Sequence, residues 1–65
     1  MKNLKRNVVV DISYRCELYK DIEEGIVTAF WTGDVDTWGK LTIQPVDGSP
    51  SLYLFPREIQ SVERL

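Results

Sequence analysis

A chain of 65 residues supports one domain, near the lower limit for folding without a staple. Its single cysteine, Cys16, and its lack of histidine exclude an intrachain disulfide and the usual Cys/His zinc site, which leaves tight packing or association as the available supports. With 43% hydrophobic and 28% charged residues and a net charge of −2, the composition fits a globular fold and argues against a general phosphate-binding surface.

Charge is unevenly spread. Lys2, Lys5 and Arg6 give residues 1–7 a basic character, while Asp21, Glu23, Glu24, Asp34 and Asp36 crowd the middle. Solvated loops and a terminal segment whose order the sequence leaves open account for this pattern. No long apolar run follows the basic start, so neither a signal peptide nor a membrane span is expected, and the expected setting is the cytoplasm.

From Val8 to Leu18 apolar and polar residues alternate. Val8, Val10, Ile12, Tyr14, Cys16 and Leu18 share one face, and Val9, Asp11, Ser13, Arg15, Glu17 and Tyr19 the other. A period of two held this long predicts an extended segment with one buried side, either a single bent strand or a strand running into a long hairpin. Cys16 lies on the apolar face, where a thiol packs as a small hydrophobe. Lys20 to Gly25 is polar and closes on glycine, which predicts a connection.

Ile26 to Thr32 is β-branched and aromatic, and predicts a strand that is apolar on both faces. Either Val27, Ala29 and Trp31 point inward or Ile26, Thr28 and Phe30 do, since a slip of one residue exchanges the two sets. One face then needs a cover beyond the domain interior: a partner subunit, a ligand or the N-terminal segment. Thr32 to Gly39 has the glycines and aspartates of a turn. Asp34, Asp36 and Gly39 echo a calcium loop, but Trp38 and Pro45 stand where that loop needs oxygen ligands.

Lys40 to Gln44 predicts a third strand, with Leu41 and Ile43 on one face, ended by Pro45. Val46 to Pro50 is a turn containing Asp47-Gly48, a pair that tolerates positive φ. Leu52 to Phe55 predicts a fourth strand with Leu52 and Leu54 opposite Tyr53 and Phe55. Pro56 stops it and opens a single helical turn over Arg57 to Gln60, with Glu58 near its positive end. Val62 and Leu65 mark a short last strand, and Ile59 is placed to plug one end. These elements predict an all-β fold: an SH3-like barrel of five antiparallel strands over 8–65, with one short helical turn before the last strand.

Most catalytic arrangements are missing. Without histidine there is no Ser-His or Cys-His pair, no glycine loop of the phosphate-binding kind is present, and the carboxylates lie in turns. The chain is therefore expected to be a non-catalytic interaction or regulatory module without a cofactor. Its seven aromatic residues are the promising material, because so small a barrel cannot bury them all. Trp31, Trp38, Tyr53 and Phe55, with Arg57 as a neighbouring anchor, are the predicted contact surface. That surface suits self-association into a homo-oligomer or the binding of a protein or peptide. Stacking of single-stranded nucleic acid is the weaker alternative, given the acidic balance.

Ile26 to Thr32, Ser51 to Pro56 and Val62 to Leu65 resemble the corresponding strands of type II, plasmid-borne dihydrofolate reductases over about residues 25–65. The resemblance implies an SH3-like barrel, assembly as a tetramer around a central active-site pore, and use of NADPH. That family's functional strand reads valine-glutamine-isoleucine-tyrosine. Here Leu52-Tyr53-Leu54-Phe55 replaces the glutamine by Tyr53 and the tyrosine by Phe55, so the groups that grip dihydrofolate and nicotinamide are missing. A pore-type reductase is thus the second reading, and fold alone does not transfer the activity.

Overall fold

The computed structural model describes residues 4–65; Lys2, one of the three basic residues at the start, lies outside them. Five antiparallel strands form one sheet: β1 (Val9–Leu18), β2 (Asp21–Phe30), β3 (Leu41–Pro45), β4 (Leu52–Leu54) and β5 (Ile59–Arg64). A 3-10 turn over Pro56–Glu58 joins β4 to β5, and the order across the sheet is β4-β3-β2-β1-β5. The two edge strands are thus neighbours in sequence, and no ladder joins them among the described residues. Among those residues no helix is long and apolar enough to cross a membrane.

The alternation in β1 takes effect as far as Cys16; Leu18, expected on the same buried face, is 54% exposed next to the Tyr19-Lys20 turn, beyond the reach of the core. Val10 and Ile12 are fully buried and Cys16 nearly so; with Ala29, Leu41, Ile43 and Leu54 they form the core. Burying a side chain of the valine or isoleucine kind contributes about 1.5–3 kcal/mol, so this small set holds most of the sheet's stability. Val10 pairs with Ala29 and Ile12 with Val27, which fixes the register of β2. Val27, Ala29 and Trp31 face inward, and Ile26 is left 71% exposed on the other side.

The segment 20–25 is not the expected connection. Leu18 pairs with Asp21, so the turn is Tyr19-Lys20 alone, and Asp21 to Gly25 form the first half of β2. Their polar composition reads as loop, yet their partners across the hairpin are Tyr14, Arg15, Cys16 and Glu17, and an exposed hairpin arm accepts charged side chains. Gly25 lies opposite Tyr14, whose ring covers the space a side chain would fill, with its hydroxyl 3.7 Å from an ideal Cβ.

Residues 4–7 are tied to the sheet. Leu4 packs against the core, Asn7 N–H donates to Trp31 C=O (2.7 Å), and Trp31 N–H donates to Val8 C=O (2.8 Å). Asn7 sits at φ +69, in the left-handed region that asparagine tolerates better than most residues. Gly48 takes φ +83 in the β3–β4 turn, as the Asp-Gly pair predicts. The helical turn is shorter than expected: Ile59 already belongs to β5, where it is half-buried against the core opposite Tyr14. A bulge at Gln60 shifts the β1–β5 register between Ser13 and Tyr14.

Candidate binding groove

Alternation in β4 sends Leu54 into the core and Tyr53 to the opposite face, 55% exposed. Thr42 pairs with Tyr53 and Leu41 with Leu54, and one step further along this ladder brings Lys40 beside Phe55. The β2–β3 loop adds Trp38, 78% exposed. Its conformation comes from Asp36, whose Oδ1 accepts the N–H groups of Trp38 and Lys40, both at 2.9 Å. Asp36 N–H donates to Lys40 C=O (2.9 Å) and Gly39 N–H to Asp36 C=O (3.0 Å). One carboxylate therefore closes the turn that presents the indole.

Asp36, Trp38, Lys40, Tyr53 and Phe55 line an open groove of about 570 Å³. Phe55 is its most constrained aromatic. Lys40 Nζ lies 5.1 Å and Arg57 Cζ 4.3 Å from the ring centroid, both within cation–π range. Arg57 is held there by the 3-10 turn. Pro56 opens that turn, and Glu58 reaches back so that Oε1 accepts Phe55 N–H (2.8 Å) while its own N–H donates to Phe55 C=O (2.8 Å). The result is an aromatic floor of Trp38, Tyr53 and Phe55 with Lys40 and Asp36 in its lining and Arg57 over the Phe55 ring.

Of the five residues expected at the contact surface, Trp38, Tyr53 and Phe55 line this groove, and Arg57 stands over Phe55 just outside its lining. Trp31 is elsewhere: it is half-buried, packed on the core, and its backbone carries the ladder to residues 7 and 8. Lys40 and Asp36 were not expected in the site. The signal for Lys40 is the β3–β4 register, which the Asp47-Gly48 turn constrains; Asp36 reads only as a turn residue.

Among the described residues no group of three or more acidic or cysteine side chains is placed to hold a metal ion. Cys16, the one thiol, is buried; desolvation first, and then the Glu58 carboxylate, push it above its ordinary range. Such a thiol is a poor nucleophile at neutral pH. No family model matches the chain, and no curated protein or solved structure is detectably similar to it.

Proposed function

We propose that this protein is a non-catalytic interaction module of SH3-like barrel architecture, whose aromatic groove takes a segment of another polypeptide, either a second copy or a separate protein. One observation carries the reading: Trp38 and Tyr53 stand exposed beside a Phe55 ring flanked by Lys40 and Arg57. Exposed aromatics beside cations match the residue types that dominate binding energy at interfaces. The barrel is supported by the strand order β4-β3-β2-β1-β5 and by the single 3-10 turn that links the two edge strands.

Light scattering across a dilution series, on wild type and Tyr53→Ala, tests this. A dimer or tetramer that Tyr53→Ala dissociates assigns the groove to self-association. A monomer directs the search to an outside peptide, selected from a displayed library and mapped by shifts of the Trp38 indole. Tyr53→Ala that unfolds the isolated protomer would sink the reading, because Tyr53 would then be core. Binding of NADPH or dihydrofolate at micromolar concentration would transfer the protein to the pore-type reductase reading.

A further inference from the structure

A second surface lies at the edge of β2. The β2–β3 ladder pairs only Ala29 with Pro45 and Phe30 with Gln44, and is prolonged by Val46 N–H donating to Thr28 C=O (3.1 Å). Beyond Val46 the Asp47-Gly48 turn carries the chain away. β1 covers the whole length of β2 on its other side, from Asp21 to Phe30. In an antiparallel ladder, N–H and C=O groups point to alternate sides along a strand. Since Thr28 C=O points toward β3, the backbone groups of Ile22, Glu24 and Ile26 point the same way, and no described strand pairs with them.

An edge of this kind is a template for another strand. Beside it runs a groove of about 570 Å³ lined by Tyr14, Ile26, Val27, Val46, Asp47 and Leu52, among others. Tyr14, Val27 and Leu52 are half-buried residues packed against the core, so the groove reaches toward the interior of the sheet. Ile22 and Ile26 are 54% and 71% exposed along the same edge. The matching edge of β1 is less open: beyond the β5 ladder, which ends at Tyr14, Arg15 and Glu17 lie in a notch with Arg57 and Glu58.

Charge selects the occupant. Asp21, Glu23 and Glu24 lie along the open strand and Asp47 at the groove, whose lining includes no lysine or arginine. Arg15 meets Glu24 at 3.7 Å, and hydrogen bonds from Ser49 hold the Asp47 carboxyl below its usual range, so it stays ionised. A second β2 centred on Glu24 would set like charges directly opposite, which is unfavourable.

We infer that the open edge of β2 receives an extended segment of a partner polypeptide in which apolar residues alternate with lysine or arginine. Its backbone continues the ladder where β3 leaves it. On the face toward the core an apolar side chain enters the groove beside Val27 and Leu52, and on the opposite face the cationic side chains meet Glu24, which lies between Ile22 and Ile26. This surface is separate from the aromatic groove, and the two readings fail independently.

The test uses a synthetic heptapeptide of alternating lysine and valine, with a glutamate-valine peptide as control, and residue-resolved amide exchange of the full chain. The lysine peptide should slow exchange at Ile22, Glu24 and Ile26 by at least about tenfold, which corresponds to about 1.4 kcal/mol, and the glutamate peptide should not. Glu24→Pro removes a donor that faces the open edge and no bond to β1, a position where a strand tolerates proline; it should abolish the protection. Ile26→Lys, which keeps every backbone donor, should weaken peptide binding by about tenfold or more and serves if the proline variant does not fold. The proposal is overturned if the peptide at millimolar concentration leaves those three amides unprotected, or if it perturbs Trp38 and Tyr53 instead. Protection that grows with protein concentration alone would overturn it too, in favour of a second copy.

Discussion

Arg6 grips Asp34 with both ends of its guanidinium: Nη1 donates to Oδ1 and Nη2 to Oδ2, each at 2.8 Å, while Nη1 also donates to Thr32 C=O (2.9 Å). The fork ties the segment before β1 to the loop after β2, next to the Asn7–Trp31 hydrogen bond. Both side chains are exposed, so the pair holds a local geometry more than it stabilises the whole fold. The hydrogen bond from Arg6 holds the Asp34 carboxyl below its ordinary value of 3.8. Its contribution is therefore present above the unfolded pKa and lost as pH falls through the folded one. Arg6→Ala should speed amide exchange at Asn7, lower Tm by only a few degrees, and flatten part of the acid limb of the stability profile. High salt should reproduce part of that loss in the wild type; an Asn7 amide that exchanges at the same rate in the variant would refute the tether.

Ile43 carries far more. It is almost completely buried in β3, where it pairs with Leu52. Truncating such a residue to alanine costs about 2–5 kcal/mol, and a domain of this length has about 3–10 kcal/mol in total. Ile43→Ala should therefore lose a large share of the total stability and shift its urea midpoint far below that of wild type, while Ile43→Val should lose about 0.5–1.5 kcal/mol. Urea denaturation followed by circular dichroism reads both. An alanine variant as stable as wild type would mean that the core is supported from outside the protomer.

Cys16 should be unreactive in the native state. Burial and the neighbouring Glu58 carboxylate favour its neutral thiol, so Ellman's reagent at pH 8 should modify it slowly in buffer and at once in urea. Its folded pKa is raised, so its contribution to stability is whole below the unfolded pKa and lost as pH rises through the folded one. Tyr14, raised by burial and then by Glu23, adds a further loss at higher pH. Cys16→Ala should flatten the first part of the alkaline decline. A thiol that reacts as fast in buffer as in urea would remove it from the core.

Much of this fold is written locally. The period of two in β1 identifies Val10, Ile12 and Cys16 as inward residues, and Pro56 marks the turn before β5, because both depend on neighbours in sequence. The rest depends on pairing. Asp21 to Gly25 carry loop-like residues and become strand because β1 already presents an extended partner through a two-residue turn. The choice between the two faces of 26–32 is equally invisible until Val10 meets Ala29, and that choice sends Trp31 to the core instead of the groove. In the candidate site Trp38, Tyr53 and Phe55 are legible as surplus aromatics. Lys40 and Asp36 join them through strand register and a side-chain cap, which composition does not encode.

Asp36 gives the most direct handle on the aromatic groove. Its Oδ1 accepts two backbone N–H groups, at Trp38 and Lys40, and both flank the side chains that form the groove wall. Asp36→Ala removes the acceptor of both bonds and should cost about 1 kcal/mol of stability, with the core untouched. Asp36→Asn keeps an acceptor oxygen and should restore most of the loop's order. The readout is the heteronuclear NOE of the Trp38 indole N–H, which should fall in the alanine variant and stay near wild type in the asparagine one. Trp31, held on the core, supplies an internal reference that should not change. If ordering of this loop is what presents Trp38, affinity for any groove ligand should follow the same ranking, with wild type first, asparagine next and alanine last. Equal binding by all three would mean that the groove is formed by β4 and Phe55 alone, with Trp38 a bystander.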